Sequence, residues 1–209
     1  MINLYYLLKD AKNMFPQGEF TEVDKNYTEK EYNTYFAISK IFQPKSILEV
    51  GAYTGISAAA MVLGSSNLEY YLGLDSQAYI KNSNEIAKYF VENVIKDFLE
   101  INPKMGNVKC EWKQVDTFRE DITNLMKDKN FDWIHLDGAH EYDEARKDIL
   151  QFWPYVTPGK LMTIHDYDSH PTVRDAVDDI LKEDILKDID YKFIFQTTRT
   201  FMSWVKKEK

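Results

Sequence analysis

The chain has 209 residues, 44% of them hydrophobic and 29% charged, as expected for one globular domain of ordinary size. Its net charge of −8 disfavours a nucleic-acid partner, because an acidic surface repels the phosphate backbone. No stretch approaches the roughly 20 apolar residues that cross a bilayer, and the single cysteine, Cys110, excludes an internal disulfide and favours a cytoplasmic setting.

Two helices are predicted before residue 44, and they define an N-terminal extension over residues 1–43. The first covers residues 3–15. The second begins at Thr28, where Thr28 and Glu31 have the spacing of a capping box. The extension carries aromatic side chains that suit either a substrate lid or the packing of the core: Phe15, Phe20, Tyr27 and Tyr32.

From residue 44 to residue 209, apolar strands alternate with helices in a second predicted unit. Strands are expected at residues 46–50, 69–74, 108–115, 131–136, 160–164, 191–196 and 200–205, and helices at 55–63, 82–99, 117–126, 142–153 and 171–187. This alternation predicts an α/β fold with a doubly wound, mainly parallel seven-stranded sheet covered by helices on both faces. The last two strands lie too close for a crossover helix, so the C-terminal strand pairs antiparallel.

Ligands of such sheets bind beyond the carboxyl ends of the strands, so the residues that follow each strand are the candidate site residues. The first strand is followed by Gly51-Ala52-Tyr53-Thr54-Gly55. Glycines allow a tight turn, and the free amides of the helix that follows suit an anion. The turn lacks the third glycine of the dinucleotide-binding fingerprint. A turn chosen only for packing of the strand on the helix is the alternative.

The second and third strands end beside acidic residues. Asp75 follows Gly51 at close to the ~20-residue spacing of a ribose-binding carboxylate, although an exposed turn residue is the alternative. Asp116 suits a hydrogen bond from an adenine amino group. Asp116 or Thr117 would equally cap the next helix, with Thr117 and Glu120 forming a capping box.

The fourth and fifth strands end in the most specific pattern, with Asp137 after one and His165-Asp166 after the other. Adjacent strands lie ~4.8 Å apart, so Asp137 and Asp166 are able to share one cation. Two carboxylates and water suit Mg²⁺, whereas a nitrogen from His165 would favour Mn²⁺, Fe²⁺ or Zn²⁺. The alternative is that both carboxylates cap helices or bind substrate directly.

Three further histidines have separate interpretations. His140 lies three residues past Asp137, where a neutral imidazole would accept a proton from a substrate hydroxyl; a helix cap or a solvent-facing side chain is the alternative. His135 lies inside a strand and is interpreted as a buried structural residue. His170 precedes Pro171 and is interpreted as a helix cap.

The run from Leu48 to Ala58 resembles the first motif of class I S-adenosylmethionine methyltransferases, especially in its catechol O-methyltransferase version. The run from Phe131 to His140 is similar to the macrocin and cephalosporin-hydroxyl O-methyltransferase group, together with Tyr142, Asp148, Pro158-Gly159 and His165-Asp166-Tyr167. The two matches span about residues 45–167. The resemblance implies a Rossmann-like fold and S-adenosylmethionine as cofactor.

Carried over residue by residue, the resemblance implies a cofactor site in which the methionine part is surrounded by Glu49, Gly51, Tyr53, Gly55 and Ser57. Asp75 would hold the ribose, and Asp116 with Thr117 would lie near the adenine. Ala139 stands where the catechol enzymes place an aromatic residue against the adenine, so that stacking is absent or supplied elsewhere.

The resemblance also implies a catalytic centre in which Asp137 and Asp166 bind a divalent metal ion and His140 takes the place of the general base. His165 departs from the pattern, because its position is usually acidic in the metal-dependent members. This departure leaves open which ion is used, Mg²⁺ or Mn²⁺, Fe²⁺ or Zn²⁺, and whether an ion is used at all.

The predicted function is therefore S-adenosylmethionine-dependent, metal-assisted O-methylation of a small molecule such as a sugar, polyketide or phenol, in a protein compatible with a homo-oligomer. Three alternatives stay open. A nucleotide-dependent oxidoreductase is disfavoured by the missing third glycine. A non-catalytic binding or partner protein that retains the fold stays possible because His165 replaces a residue that is usually acidic. N-methylation would need neither metal nor base.

Overall fold

A computed structural model describes residues 22–77, 82–99, 106–196 and 200–208 of the chain. The helix predicted at residues 3–15 and the side chains of Phe15, Phe20 and Tyr27 lie outside this description.

Seven strands form one sheet, as predicted. They are β1 (Ser46–Val50), β2 (Tyr70–Asp75), β3 (Lys109–Gln114), β4 (Phe131–Leu136), β5 (Val156–Ile164), β6 (Ile189–Gln196) and β7 (Thr200–Lys206). Their order across the sheet is β3-β2-β1-β4-β5-β7-β6. The first five strands run parallel, and β7 lies antiparallel between β5 and β6. This is the doubly wound arrangement that the alternation of strands and helices predicted and the Rossmann-like fold that the family resemblance implied.

Six α-helices cover the sheet within the described residues: α1 (Glu22–Phe42), α2 (Ile56–Gly64), α3 (Ser83–Leu99), α4 (Thr123–Met126), α5 (Tyr142–Phe152) and α6 (Pro171–Lys182). Helix α2 packs against α1 and α3 on one face, and α5 packs against α6 on the other. Each face has its own cluster of buried apolar side chains, because a parallel sheet buries both of its faces. No helix in the described part of the chain is both long and apolar enough to span a bilayer.

The topology places the ends of five strands at one edge of the sheet. Strand β1 pairs with β2 on one side and with β4 on the other, so that Val50 lies beside both Leu74 and Leu136. Leu136 in turn lies beside Ile164 of β5. The residues that follow these positions therefore meet at the point where the strand order reverses, which is where ligands bind in such sheets.

The start of α1 corrects one prediction. The helix begins at Glu22, so Thr28 lies inside it and cannot be its N-cap; the capping box of Thr28 and Glu31 is wrong. The C-terminal half of α1 belongs to the core. Tyr35 and Ile38 are each 1% exposed, and the Ser39 hydroxyl donates to the carbonyl of Met61 at 2.6 Å. Core packing is thus the role of this half of the helix.

The helix predicted at residues 117–126 is much shorter, since only Thr123–Met126 is helical. Asp116 accepts from the amides of Phe118 and Arg119 through Oδ1, at 3.2 and 3.1 Å. Glu120 reaches back to the amide of Asp116 at 2.8 Å. The reciprocal cap therefore joins Asp116 to Glu120, in place of the predicted pair Thr117 and Glu120, and it closes a turn because an aspartate side chain competes with a helix for these amides.

Two other boundaries differ from the prediction by four or five residues. The helix predicted to reach residue 187 ends at Lys182, and Asp184 adopts a left-handed conformation (φ 50°) that helices do not continue through. Strand β5 begins at Val156, four residues before the predicted start. Pro158 and Gly159 hid this extension in the sequence, because both residues are typical of turns.

Candidate active site

The glycine turn after β1 is fixed by close packing. Gly51 and Gly55 have φ of 85° and 81°, in the left-handed region that other residues avoid. A Cβ atom on Gly51 would lie 1.9 Å from the carbonyl oxygen of Asp137, and one on Gly55 would lie 2.8 Å from the Cα of Ala87 in α3. Packing alone thus requires both glycines. The same packing presses the turn against the main chain that leads out of β4.

The turn also presents backbone groups to a ligand. Gly55 is the N-cap of α2, and no side chain caps this helix, so its first amides are available to a carboxylate. Tyr53 adopts a left-handed conformation (φ 43°) with its side chain 39% exposed. A non-glycine residue in this conformation is strained, and such strain concentrates at functional sites.

Glu49, the residue before Val50 in β1, is a fully buried carboxylate beside this turn. It is 0% exposed, and the Tyr71 hydroxyl donates to its Oε2. Its Oε1 has no hydrogen-bond partner among the described residues. Burial raises the pKa of Glu49 to about 7, although the nearby hydroxyls of Ser57 and Tyr71 lower it. An unpaired, buried acceptor of this kind suits an ammonium group.

Glu49 should make stability depend on pH. Because the pKa rises from 4.5 to about 7 on folding, the protonated form is favoured by the fold, and its contribution is lost as the pH rises between these values. The expected loss is about 3 kcal/mol. Urea unfolding at pH 4.5 and pH 7.5 should show a steeper decline for the wild type than for Glu49→Gln. Parallel declines in the two proteins would contradict the raised pKa.

Asp75, the predicted ribose ligand, is brought to the glycine turn. Its Oδ2 accepts from the amide of Tyr53 at 2.9 Å. Its Oδ1 accepts from the amide of Gln77 at 2.6 Å and from the Ser83 hydroxyl at 3.0 Å. The carboxylate therefore orders the residues around the turn, and Oδ2 keeps capacity for a further donor.

Asp116 and Thr117 take part in local structure. The carboxylate of Asp116 accepts two amides of its own turn, which agrees with the capping interpretation. The carbonyl of Thr117 accepts from the Gln151 side chain at 3.0 Å. These contacts hold the loop after β3 against α5.

The residues after β4 and β5 form a tight polar cluster around His165. The Nδ1 atom of His165 lies 2.9 Å from Asp137 Oδ1 and 3.0 Å from Asp166 Oδ2. Its Nε2 atom lies 2.8 Å from Oε1 of Glu31, which reaches the cluster from α1. The His165 side chain is 1% exposed. The structure therefore brings together Asp137, His165 and Asp166, the three predicted metal ligands, and adds Glu31.

The cluster has the spacing of a metal site. Ligands about 2.1 Å from an octahedral ion lie about 3 Å apart along the edges of the octahedron. The two contacts of His165 Nδ1 have this length, and neither ring nitrogen meets its neighbours with hydrogen-bond geometry. Two groups of side chains place their ligand atoms within 4.8 Å of one another and fit a divalent ion by number and chemistry: Glu31 with Asp137 and His165, and His140 with Asp166 and His170.

The charges of the cluster also favour a cation. Burial lowers the pKa of His165, but Asp137, Asp166 and Glu31 outweigh it and raise the pKa well above its usual range. Burial also acts to raise the pKa of Asp166, but His140 and His165 hold it well below its usual range. Three carboxylates around one imidazole leave a net negative charge, which attracts a positive ion.

His140 lies at the open side of the same cluster. Its Nε2 lies 2.9 Å from Asp166 Oδ2, and its side chain is 38% exposed. Its ring stacks on that of His170, with centroids 4.0 Å apart, and the Thr172 hydroxyl donates to its backbone carbonyl. The contact with Asp166 raises the pKa of His140, although burial lowers it. The imidazole is held in one orientation and stays within reach of a ligand.

Two other histidine predictions have clear outcomes. His135 is 0% exposed, with Nδ1 2.7 Å from the Thr163 hydroxyl and Nε2 3.2 Å from the Tyr35 hydroxyl, which confirms its structural role. His170 is the N-cap residue of α6, but its side chain makes no capping hydrogen bond. The prediction was right about its position and wrong about its function. Its side chain joins the site, with Nε2 4.0 Å from Asp166 Oδ2.

Sequence reasoning missed Glu31 and the role of His170. Glu31 precedes Asp137 and His165 by more than a hundred residues, and its spacing from Thr28 led to its interpretation as part of a capping box. A polar residue on the apolar side of a helix, four residues before the buried Tyr35, was the available signal.

Comparison with known proteins identifies the family. A sequence model described as a methyltransferase domain matches residues 48–167, more than half of the chain. A search of the curated proteins found no match.

Solved structures share the fold at low sequence identity. An O-methyltransferase from Bacillus cereus, solved in complex with SAH, is 14% identical with a TM-score of 0.62, covering 97% of this chain and 90% of that one. An O-methyltransferase of Streptomyces achromogenes involved in tomaymycin synthesis, solved with SAM, is 14% identical with a TM-score of 0.61, covering 96% and 89%. A TDP-rhamnose 3′-O-methyltransferase of calicheamicin biosynthesis is 11% identical with a TM-score of 0.63, covering 98% and 95%.

The matched segment runs from Leu48, before the glycine turn, to Tyr167, just past His165 and Asp166. It contains the turn, Asp75 and the polar cluster except for Glu31 and His170. The predicted family and fold are confirmed, and the chain belongs to the methyltransferase domain family, with the Rossmann-like fold of the class I, S-adenosylmethionine-dependent enzymes.

Proposed function

We propose that the protein transfers a methyl group from S-adenosylmethionine to a hydroxyl group of a small molecule, assisted by a divalent metal ion. One observation carries this proposal: the glycine turn after β1 packs directly on the main chain of Asp137, which also supplies a carboxylate to the polar cluster. The turn that suits a methyl donor and the cluster that suits a cation are therefore adjacent, because both contact Asp137. Such proximity is what a displacement reaction between two bound partners needs.

The cofactor site would be built from the turn and the residues beside it. The uncapped amides of α2, beginning at Gly55, would accept the carboxylate of the methionine part, and Ser57 lies in the first turn of that helix. Glu49 would pair with the ammonium group through its free Oε1. Asp75, already bonded to the amide of Tyr53, would add a ribose hydroxyl at Oδ2. Gly51 has no side chain, so the cofactor would be able to approach the backbone of the turn closely.

The adenine would lie towards the loop after β3, which carries Asp116 and Thr117. Since Asp116 accepts amides of its own turn, we propose that it shapes this end of the site through the backbone of the loop. Ala139 offers no ring for stacking on the adenine.

The acceptor hydroxyl would be positioned at the cluster of Asp137, His165 and Asp166. A divalent ion held there would lower the pKa of a coordinated hydroxyl. Asp166 faces Nε2 of His140 and orients the ring, which leaves Nδ1 as the nitrogen that would take the proton. The oxygen would then attack the methyl carbon while the carbon–sulfur bond breaks, and SAH would leave. His170, stacked on His140, would keep the base in place.

The acceptor class is inferred from the site and its relatives. One solved relative acts on a TDP-sugar and another serves the synthesis of a natural product. We infer a hydroxylated sugar, polyketide or phenol as acceptor for this chain. The N-terminal extension, residues 1–43, would cover this acceptor, since its helix α1 already contributes Glu31 to the cluster.

Calorimetric titration with S-adenosylmethionine, before and after EDTA treatment, tests the proposal. We expect one site per chain, with binding retained in EDTA, and formation of SAH from a panel of sugar, polyketide and phenol acceptors only when a divalent ion is present. Tight cofactor binding without turnover of any acceptor would favour a non-catalytic role. Turnover of amines in EDTA would indicate N-methylation. Binding of NADH in preference to S-adenosylmethionine would overturn the proposal.

A further inference from the structure

We propose that Asp148 is a positioning residue for the cofactor, because its buried carboxylate lies between the two segments that would enclose the adenine, the loop after β3 and the turn after β4. The inference rests on the proposed binding of S-adenosylmethionine and adds a residue of α5 that has no direct contact with the cofactor. Asp148 acts through the two segments and determines how well the site recognises the adenine base.

Asp148 is a buried acid on α5. Its side chain belongs to a residue that is only 4% exposed, and aspartate is almost never buried this deeply unless other groups pair with it. Burial raises the pKa of Asp148 to about 6, although the side chains of Thr117 and Gln151 lower it. Above pH 7 the group is therefore mostly a carboxylate, which only accepts hydrogen bonds. The groups that donate to it show which segments it holds.

One oxygen of the carboxylate is linked to the loop after β3. Oδ1 of Asp148 accepts from the side-chain amide of Gln151 at 2.8 Å, and the same NH₂ group donates to the carbonyl of Thr117 at 3.0 Å. One amide thus joins the carboxylate to the loop. Lys147 adds a second link, because its Nζ donates to the carbonyl of Phe118 at 2.5 Å. The loop is therefore attached to α5 at two consecutive carbonyl groups.

The other oxygen faces the turn after β4. A Cβ atom on Gly138 would lie 3.3 Å from Oδ2 of Asp148 and 3.2 Å from Cγ1 of Val50. Gly138 therefore fills a narrow gap between β1 and α5, and it brings the turn against the carboxylate. Asp148, Gly138 and Ala139 line a cavity of about 20 Å³, which has room for no more than about one water molecule. Asp148 thus supports the turn, and the cofactor has no space to reach it there.

The position of the loop after β3 matters because Ala139 contributes only a methyl group to the adenine end of the proposed site. Recognition of the base then depends on the main chain of that loop. Asp116 closes the loop on itself, through the amides of Phe118 and Arg119. Asp148 attaches the closed loop to α5. A loop that is already held in place loses less entropy when the ligand binds, so this attachment favours cofactor binding.

The polar cluster is fixed independently of Asp148. The amide of Asp137 donates to the carbonyl of Val50 at 2.8 Å, which continues the pairing of β4 with β1. The amide of His165 donates in the same way to the carbonyl of Leu136 at 2.9 Å. Both residues are therefore held by the main chain of the sheet. Loss of the Asp148 carboxylate should weaken cofactor binding and leave the binding of a divalent ion almost unchanged.

Calorimetry of the full chain with two ligands tests the inference: SAH, and S-inosylhomocysteine, in which an oxygen replaces the amino group of the adenine. Asp148→Ala should bind SAH about ten-fold more weakly than the wild type, the loss expected for one hydrogen bond to a charged group. It should also lose part of its preference for SAH over S-inosylhomocysteine, because a loosened loop distinguishes the two bases less well. Co²⁺ should bind as it does to the wild type.

Further variants separate positioning from folding, with thermal unfolding as the check on the fold. Asp148→Asn keeps an acceptor for Gln151 and should recover most of the affinity for SAH. Gln151→Ala removes the bond to Thr117 at a partly exposed position and should reproduce part of the loss. Combining Asp148→Ala with Gln151→Ala should cost less than the sum of the two, since both act on one loop. Asp143→Asn, an exposed carboxylate on the same helix, is the matched control and should bind both ligands like the wild type.

Two results would overturn the inference and leave the proposed function standing. Wild-type affinity for SAH in folded Asp148→Ala would show that the carboxylate does not position the site. An equal loss of affinity for SAH and S-inosylhomocysteine, with their ratio unchanged, would show that Asp148 supports only the fold. If the wild type binds neither S-adenosylmethionine nor SAH, the proposed function itself fails, and the inference fails with it.

Discussion

Replacing Gly51 with alanine is expected to lower the free energy of unfolding by more than about 4 kcal/mol, an exceptional loss for one methyl group. The added Cβ would lie 1.9 Å from the carbonyl oxygen of Asp137 and 2.9 Å from the amide nitrogen of Gly138. Both atoms belong to the main chain and cannot move aside without separating β1 from β4. The backbone itself, with φ of 85°, adds strain for any residue with a side chain.

Gly159→Ala is the matched control for this change. Gly159 also has a positive φ, of 75°, but its Cβ would meet only the flexible side chain of Glu208, at 3.0 Å. We expect it to lose about 1–2 kcal/mol, the cost of the left-handed conformation alone. Urea unfolding of the three proteins measures the difference. If Gly51→Ala loses no more stability than Gly159→Ala, the close packing of the turn on Asp137 is wrong.

The same pair of variants separates packing from ligand binding. Gly159 lies beside the start of β4 and away from the carboxyl ends of β1 and β4, so Gly159→Ala should bind S-adenosylmethionine like the wild type. Gly51→Ala should lose detectable binding even where low temperature keeps it folded, because the turn and the main chain at Asp137 can no longer meet. Normal binding by folded Gly51→Ala would show that this turn does not form the cofactor site.

The fold was predictable from the sequence because its strongest signals are local. Strand β4 has the predicted bounds, and β1 also matches residue for residue, since each is a short apolar run ended by a polar or glycine residue. The parallel order followed from the alternation of strands and helices. The residues at the strand ends, including Asp137, His165 and Asp166, followed in turn from the topology.

Contacts between distant segments of the chain could not be predicted from the sequence. Glu31 lies on α1 and meets His165 only because α1 packs across the sheet, so no spacing in the chain relates the two residues. His170 was interpreted as a cap from the proline that follows it, and the stacking of its ring on His140 depends on how α6 enters the site. The local motif was visible in both cases, but the partner was not.

Competition between neighbouring polar residues was another source of error. Asp116, Thr117 and Glu120 offer several alternative capping patterns. In the structure the carboxylate of Asp116 accepts from the amides of Phe118 and Arg119, and the helix covers only Thr123–Met126. The sequence contained the correct donors and acceptors, but their choice depends on a fold that also attaches Gln151 of α5 to the carbonyl of Thr117.

Asp137→Asn is expected to reduce kcat/KM for the methyl acceptor by about a thousand-fold, or about 4 kcal/mol of transition-state stabilisation. Asparagine keeps an oxygen near the position of Oδ1 but removes one of the negative charges that attract the ion. If the amide instead turns its NH₂ group towards Nδ1 of His165, which lies 2.9 Å from Oδ1 in the wild type, that group would compete with the ion for the nitrogen. Both changes weaken metal binding.

The cofactor should be affected much less. Gly51 contacts the main chain of Asp137, which the substitution leaves in place, so S-adenosylmethionine should bind Asp137→Asn within a few-fold of the wild type. Gly51→Ala is expected to remove cofactor binding, whereas Asp137→Asn removes the ion. The two variants therefore test the cofactor site and the metal site separately, although the two sites meet at Asp137.

Asp132→Asn is the matched control, because it removes the same charge from the same strand at a position outside the proposed site. Asp132 lies at the opposite end of β4, where its Oδ2 accepts from the amide of Lys45 at 2.9 Å, a bond that asparagine can still make. It should leave turnover and Co²⁺ binding unchanged. The measurements are SAH formation with the accepted hydroxyl compound and calorimetry with Co²⁺. If Asp137→Asn turns over at nearly the wild-type rate, no ion assists the reaction, and orientation of the acceptor by His140 and the cofactor site must account for the whole rate.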